Sequence, residues 1–275
     1  MSTLLEVEDL AKSYPVKRDL IGRPSAWLHA VKGVSFKLEA GRTIAIVGES
    51  GAGKSTVGRL VLRLIEPTRG SIRLNGEDVR TLKGTGMHAF RRRAQMIFQD
   101  PFSSLDPRMV VGGAVGEALA IHRALRGWDQ EQAAAELLAR VGLNPEYMDR
   151  YPHEFSGGQL QRIAIARALA AEPDLIVCDE PVAALDVSIR AQVLNLLLDL
   201  QQERGISYLF ISHDLSLVRF FAHDVIVMKD GEIVEQGAAE DLFQNPRHPY
   251  TQALVAAAPV AQPSRQQVRA ALARS

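Results

Sequence analysis

The sequence predicts an α/β protein, in which a mostly parallel sheet carries helices on both faces and is interrupted by a helical insert at about residues 100–155. Strand and helix patterns alternate from Leu160 onward. Short continuous apolar runs such as Thr43–Val47 and Leu175–Cys178 read as strands buried on both faces. Residues 110–141 are instead alanine-rich and helical in pattern.

Taken in order, Leu4–Leu10 and Ala30–Leu38 alternate like half-buried strands, the second with Val34, Phe36 and Leu38 on one face. Pro15–Leu28 between them, with Gly22 and Pro24, is expected to be a loop or arm. Thr43–Val47 is a strand running into glycines, and Lys54–Ile65 is a helix stopped near Pro67. Ser71–Leu74 is a strand closed by Asn75-Gly76, the strongest short turn signal in the chain. Gln95–Phe98 is a further short strand. In the insert, Val110–His122 and Asp129–Val141 read as helices, with Asp129 as N-cap and Gly142 as the stop. Helices Leu160–Ala171, Ser188–Arg204 and Leu215–Phe221 then alternate with strands Asp174–Asp179, Ser207–Ser212 and Asp224–Met228. Lys229-Asp230-Gly231 turns the chain into Glu232–Glu235. The tail from Gln262 is polar enough to be poorly ordered.

A chain of 275 residues fits one large α/β domain with appendages. Its 32 Lys and Arg balance 32 Asp and Glu, so no whole-molecule field draws it to nucleic acid or an anionic membrane, and no nucleic-acid partner is expected. The basic run Arg91-Arg92-Arg93 reads as a solvated helix face. Cys178 is the single cysteine, which excludes a disulfide framework or a cysteine-based metal site within one chain and fits a reducing cytoplasm. Lying inside a strand, it reads as a small buried apolar residue. The N-terminus lacks a basic segment followed by an apolar run, so no secretory signal is expected. No apolar run approaches the ~20 residues that cross a bilayer as a helix. Any membrane role is therefore expected to come through a partner.

Gly48-Glu49-Ser50-Gly51-Ala52-Gly53-Lys54-Ser55, followed by Thr56, fits G-x-x-x-x-G-K-[ST] between a strand and a helix. Glycines let backbone N–H groups turn inward around a phosphate, and the helix N-terminus adds partial positive charge. Lys54 can reach the β- and γ-phosphates of ATP, and the Ser55 hydroxyl can ligate Mg²⁺. Further on, the apolar run Leu175–Cys178 ends in Asp179-Glu180. Ligands of parallel sheets bind beyond the carboxyl ends of the strands. There Asp179 can hold Mg²⁺ through a water, and Glu180 can activate the attacking water. A strand ending in two acids would by itself suit a solvated strand end; the phosphate loop gives it meaning.

Phe155-Ser156-Gly157-Gly158-Gln159-Leu160-Gln161-Arg162 puts an N-capping serine and two glycines at the start of another helix, a second phosphate-facing terminus. Here the sequence resembles the ATP-binding cassette (ABC) ATPases, whose signature is L-S-G-G-Q, with Phe155 in place of Leu. The resemblance covers nearly all of residues 4–245. It implies a P-loop NTPase (RecA-like) core, an N-terminal antiparallel β subdomain and a helical subdomain. It implies roles for Gln99 as the Q-loop glutamine that senses Mg²⁺, for His213 as the switch histidine on the γ-phosphate, and for Tyr14 as the aromatic that stacks on adenine. Trp27 and His29 compete for that last role. Ala184-Leu185-Asp186 matches the D-loop, where many relatives carry Ser at the first position, so a hydroxyl contact across the dimer is in doubt. The signature residues Ser156, Gly157, Gly158 and Gln159 would act on the ATP of a second subunit, a copy or a paralogue.

Three stretches narrow the resemblance. Phe98–Arg108, Glu180–Ser188 and Asn245–Leu254 look like the ATPase subunits of bacterial dipeptide and oligopeptide importers, a group that includes nickel and glutathione importers. Residues 246–275 would then be the C-terminal extension of that group. The expected function is ATP hydrolysis driving solute uptake at the cytoplasmic face of the membrane, with two transmembrane permease subunits and, indirectly, an extracytoplasmic solute-binding protein. Di- and oligopeptides lead; nickel, glutathione or another small solute are the alternatives, and a soluble ABC ATPase in translation or repair is the rival of a different class.

Overall fold

The computed structural model describes residues 2–18 and 24–257. Gly22 and the tail from Gln262 lie outside them. Two sheets share the molecule: a four-stranded antiparallel sheet of order β2-β1-β4-β5 and a six-stranded sheet of order β10-β9-β3-β8-β7-β6. The first is built from β1 (Thr3–Arg18), β2 (Pro24–Glu39), β4 (Arg69–Leu74) and β5 (Glu77–Asp78). The second holds β3 (Thr43–Val47), β6 (Ala94–Ile97), β7 (Leu175–Asp179), β8 (Ser207–Ile211), β9 (Asp224–Lys229) and β10 (Glu232–Ala238). All of its pairings are parallel except β9 with β10.

The central strands show why their sequence reads as continuous apolar runs. Ile44, Ile46, Val177, Leu209 and Ile211 pack into a core shared with the antiparallel sheet and α1 (Lys54–Val61). Their neighbours Ala45, Val47, Cys178, Tyr208 and Phe210 point the other way. There they meet α4 (Val111–Arg123), α5 (Gly127–Arg140), α6 (Gly157–Leu169), α7 (Val187–Arg204) and α8 (Leu215–Phe221), which follow the short α2 (Gly84–Arg93) and α3 (Pro101–Ser104). A strand whose alternate residues enter two cores has no polar face. Cys178 is fully buried, which pushes its thiol pKa far up and leaves it a packing residue.

Four local expectations are corrected. Pro15–Leu28 is not a free loop: Pro15 pairs with Trp27 and Lys17 with Ala26, so the ladder of β1 and β2 runs through most of that stretch. Several register shifts along this hairpin break the period-two alternation that would have marked it. α1 stops at Val61 rather than near Ile65, since Arg63 adopts φ 49° and breaks the helical path. The N-cap of α5 is Arg126, and Asp129 sits inside the first turn, where its carboxylate favours the positive helix end without capping it. Beyond α9 (Ala239–Gln244), Pro249 opens a further helix, α10 (Pro249–Ala257). Proline is well suited to a first helical position, where no intrahelical N–H bond is lost. The Arg91–Arg93 run is also less free than a solvated face, because Arg92 pairs with Glu172 at 3.1 Å and Arg93 with Asp174 at 2.7 Å.

Candidate functional site

The carboxyl edge of the parallel sheet gathers the loop and the acids. β3 leads into Gly48, whose φ of 148° and tight setting both require glycine: a Cβ there would lie 2.2 Å from the Met228 carbonyl oxygen. At Gly53, φ is 97° and a Cβ would fall 2.4 Å from the Ala30 carbonyl oxygen. These approaches clamp both feet of the loop against β9 and β2, while Glu49, Ser50 and Gly51 stay exposed at its crest. Gly53 is the N-cap of α1 and supplies no side-chain cap, so the first N–H groups of that helix are open to an anion.

Lys54 is buried, at 5% exposure. Its Nζ donates to the carbonyls of Gly48 and Glu49, each at 2.8 Å. Desolvation holds its pKa below the ordinary lysine value, opposed by the negative charges of Glu180 and Asp179. Ser55 Oγ donates to Asp179 Oδ1 at 2.7 Å, across 124 positions of sequence. Burial raises the Asp179 pKa above the ordinary carboxylate value, against the lowering effects of the Ser55 hydrogen bond and of Arg59 and Lys54, with Glu180 adding to the rise.

Glu180 follows β7 with φ 49°, and its N–H donates to Ile211 O at 3.0 Å, carrying the β7–β8 pairing one step past the strand. That brings Glu180 Oε2 within 3.1 Å of His213 Nδ1. Glu180 is largely buried, while more than half of the His213 side chain is exposed. Lys54, Ser55, Asp179, Glu180 and His213 thus form one polar cluster at the ends of β3, β7 and β8. Gln99 is exposed on the same edge, two residues past Ile97, whose register partner is Cys178.

The remaining predicted residues make their described contacts elsewhere. Tyr14 lies half-buried on β1 opposite Leu28, with Lys12 Nζ 5.0 Å from its ring centroid. Of its competitors, His29 Nδ1 is hydrogen-bonded to Ser13 Oγ at 2.8 Å, and Trp27 is half-exposed. Ser156 caps α6: its Oγ accepts from Gln159 N at 3.3 Å, and Gln159 Oε1 accepts from Ser156 N at 3.0 Å. Gly158 has a packing reason that the sequence did not show, since a Cβ there would meet Ile189 Cγ2 at 2.4 Å. Gly157 is looser, with Leu185 Cδ2 at 3.6 Å from such a Cβ. Asp186 stands at the N-cap of α7, next to the exposed Ala184 and Val187. One residue without an assigned role also reaches the loop: Tyr250 on α10, whose hydroxyl accepts from Glu49 N at 3.1 Å. A lone aromatic after two prolines carries no periodic signal, so only its place in the stretch Asn245–Leu254 drew notice.

Oxygen donors of a serine and a carboxylate suit a hard cation, and Mg²⁺ is commonly held by one or two protein groups together with substrate phosphates. Ser55 and Asp179 have that chemistry.

Residues 31–183 match the family model described as ABC transporter, and residues 234–274 match the oligopeptide/dipeptide transporter C-terminal region. The chain is 54% identical over 263 residues to the glutathione import ATP-binding protein GsiA of Escherichia coli K12, covering 96% of this chain and 42% of that protein. It is 51% identical over 264 residues to the protein of the same description from Pectobacterium atrosepticum, again covering 96% and 42%. The chain therefore spans less than half the length of these curated relatives. Among solved structures, the dimeric post-hydrolysis state of the ATP-binding cassette MJ0796 bound to ADP and Pi superposes with TM-score 0.76 at 28% identity, covering 86% of this chain and 99% of that one. Among the described residues, no helix is long and apolar enough to cross a membrane.

Proposed function

The chain belongs to the ABC transporter family of ATP-binding proteins, and from that premise we propose that it is the ATP-hydrolysing subunit of a bacterial importer. The observation that carries the proposal is the meeting of the Ser55–Asp179 and Glu180–His213 pairs beside Lys54. The loop from Gly48 to Thr56 cradles the phosphates with its backbone N–H groups, and Lys54 leaves the loop carbonyls to neutralise the β- and γ-phosphates. Ser55, Asp179 and Gln99 would hold Mg²⁺, which when bound neutralises phosphate charge. Glu180 accepts the proton of the attacking water, and His213, on the exposed side of Glu180, orients that carboxylate and faces the γ-phosphate. Tyr14 stacks on adenine.

Ser156, Gly157, Gly158 and Gln159 cover the γ-phosphate held by a second ATPase subunit, a copy or a paralogue, with Asp186 at the same junction. ATP binding closes the pair and hydrolysis reopens it. Gln99 and the helical segment around residues 100–155 pass the motion to two transmembrane permease subunits at the cytoplasmic face, which receive solute from an external binding protein.

The cargo is a small peptide. The C-terminal region of peptide transporters and the relatives described as glutathione import proteins both support that class, because glutathione is itself a tripeptide. Purifying the chain with its membrane subunits and reconstituting them in ATP-loaded vesicles, with the solute-binding protein supplied outside, tests this. ATP-dependent entry of glutathione or of dipeptides is expected. Transport of nickel alone would overturn the peptide assignment, and binding to ribosomes or DNA with no membrane partner would overturn the transporter assignment.

A further inference from the structure

We propose that the C-terminal segment enters the nucleotide site through Tyr250, which acts as a positioning residue for the phosphate loop. This rests on the assignment of that loop to ATP. The peptide group joining Gly48 to Glu49 is held at both ends by side chains. Its carbonyl, Gly48 O, accepts from Lys54 Nζ at 2.8 Å, and its N–H donates to Tyr250 Oη at 3.1 Å.

Tyr250 is itself fixed by a chain of contacts that starts in the sheet. Glu235, on β10, accepts from the N–H groups of Arg247 and His248, each at 2.9 Å. His248 Nδ1 in turn accepts from Tyr250 N at 3.1 Å, at the start of α10. Lys229 Nζ lies 5.0 Å from the centroid of the Tyr250 ring, a cation–π contact from the end of β9. The same turn braces the loop from below, since Gly231 N donates to Ala52 O at 3.2 Å and the Met228 carbonyl closes on Gly48. The hydroxyl is thus delivered to Glu49 from the antiparallel edge of the six-stranded sheet, and the loop's crest, otherwise exposed, gains a fixed partner.

The two holds on this peptide differ in what ATP does to them. Lys54 must turn from Gly48 O and Glu49 O to reach phosphate oxygens. Tyr250 has no such second task, and its hold persists while the lysine moves. Losing it would leave the Gly48–Glu49 peptide held by a side chain at its carbonyl alone, and by none once Lys54 turns to ATP, so that ordering this peptide would oppose nucleotide binding. The effect falls on affinity. The attack on the γ-phosphate, led by Glu180, is left as it was.

The test compares the full chain with Tyr250→Phe, which removes the hydroxyl and keeps the ring against Lys229. Binding of a non-hydrolysable ATP analogue, steady-state ATP hydrolysis and thermal melting are measured on both. The expected result is an analogue Kd and a KM for ATP raised about three- to tenfold, with kcat and the melting temperature unchanged. An unchanged Kd would overturn the proposal while leaving the ATP assignment intact. A loss of affinity accompanied by parallel losses of kcat and melting temperature would overturn it too, by reducing Tyr250 to a structural residue. Failure of the unaltered chain to bind the analogue would overturn the ATP assignment first, and this proposal with it.

Discussion

His213 Nδ1 lies 3.1 Å from Glu180 Oε2, joining the residue that follows β7 to one just past the end of the neighbouring strand β8. Register explains the meeting: Asp179 pairs with Ile211, so both chains leave the sheet at the same level. A histidine placed to orient a general base contributes through that base. His213→Ala is expected to slow ATP turnover about 10- to 100-fold with nucleotide affinity retained. Combined with Glu180→Gln it should add almost no further loss, because groups acting as a unit are strongly non-additive. A double-mutant cycle on turnover checks this, and fully additive losses would separate the two residues.

Asp179 makes a prediction of opposite signs for stability and activity. Burial raises its pKa, so the folded state favours the protonated form. Its contribution to stability is complete below the unfolded pKa and is lost as pH rises through the folded one. At about pH 7 the ionised carboxylate therefore weakens the fold. Asp179→Asn should melt higher than the parent protein at about pH 7, and the gap should narrow towards about pH 4. ATP turnover should nevertheless fall about 10- to 100-fold, as for loss of a group that orients a metal's shell. Calorimetry across pH, with turnover measured alongside, tests both halves; a lower melting temperature at neutral pH would contradict the first.

The loop glycines are not equivalent. A Cβ at Gly48 would collide with the Met228 carbonyl, whereas a Cβ at Gly51 has nothing within 4 Å. Gly51→Ala meets only the strain of its φ of 84°, about 1 kcal/mol. Gly48→Ala must also displace a strand and should lose about 2 kcal/mol or more, together with ATP binding. Denaturant melts of the two variants provide the comparison, and equal losses would mean that the β9 contact does not hold the loop.

Ser156→Arg tests the role of α6. Loss of the cap alone should cost about 1 kcal/mol. If the signature acts on another subunit's ATP, turnover should vanish while the chain still binds nucleotide at its own loop. Equilibrium binding and turnover on the same preparation decide it, and normal turnover would rule the signature out of the reaction.

Much of the fold was legible because buried parallel strands announce themselves: Thr43–Val47 and Leu175–Cys178 read as continuous apolar runs and are strands, and Leu215–Phe221 is helical as its pattern implies. Leu4–Leu10 and Ala30–Leu38 were legible as parts of β1 and β2, but the extension of their pairing through Pro15–Leu28 was not, because register shifts there destroy the alternation by which strands are recognised. α10 was not anticipated, because Asn245–Leu254 stood out as a resemblance and was given no helical reading. Motif spacing named the residues of the candidate site, but it carried no information on which would touch. The Ser55–Asp179 bond spans 124 positions and the Glu49–Tyr250 bond 201, distances that only the strand order closes. Gly158 had two claims on it, ligand approach and helix packing, and only the structure reveals Ile189 against it.

The central claim is that this chain cleaves ATP with Glu180 as the base. It is tested most directly by single-turnover phosphate release from the complex purified with its membrane subunits, comparing the parent chain with Glu180→Gln. The account predicts that the variant retains bound, intact ATP and releases phosphate from this chain's site about 10²- to 10⁴-fold more slowly. Phosphate release at the parent rate, with ATP bound equally well, would contradict it.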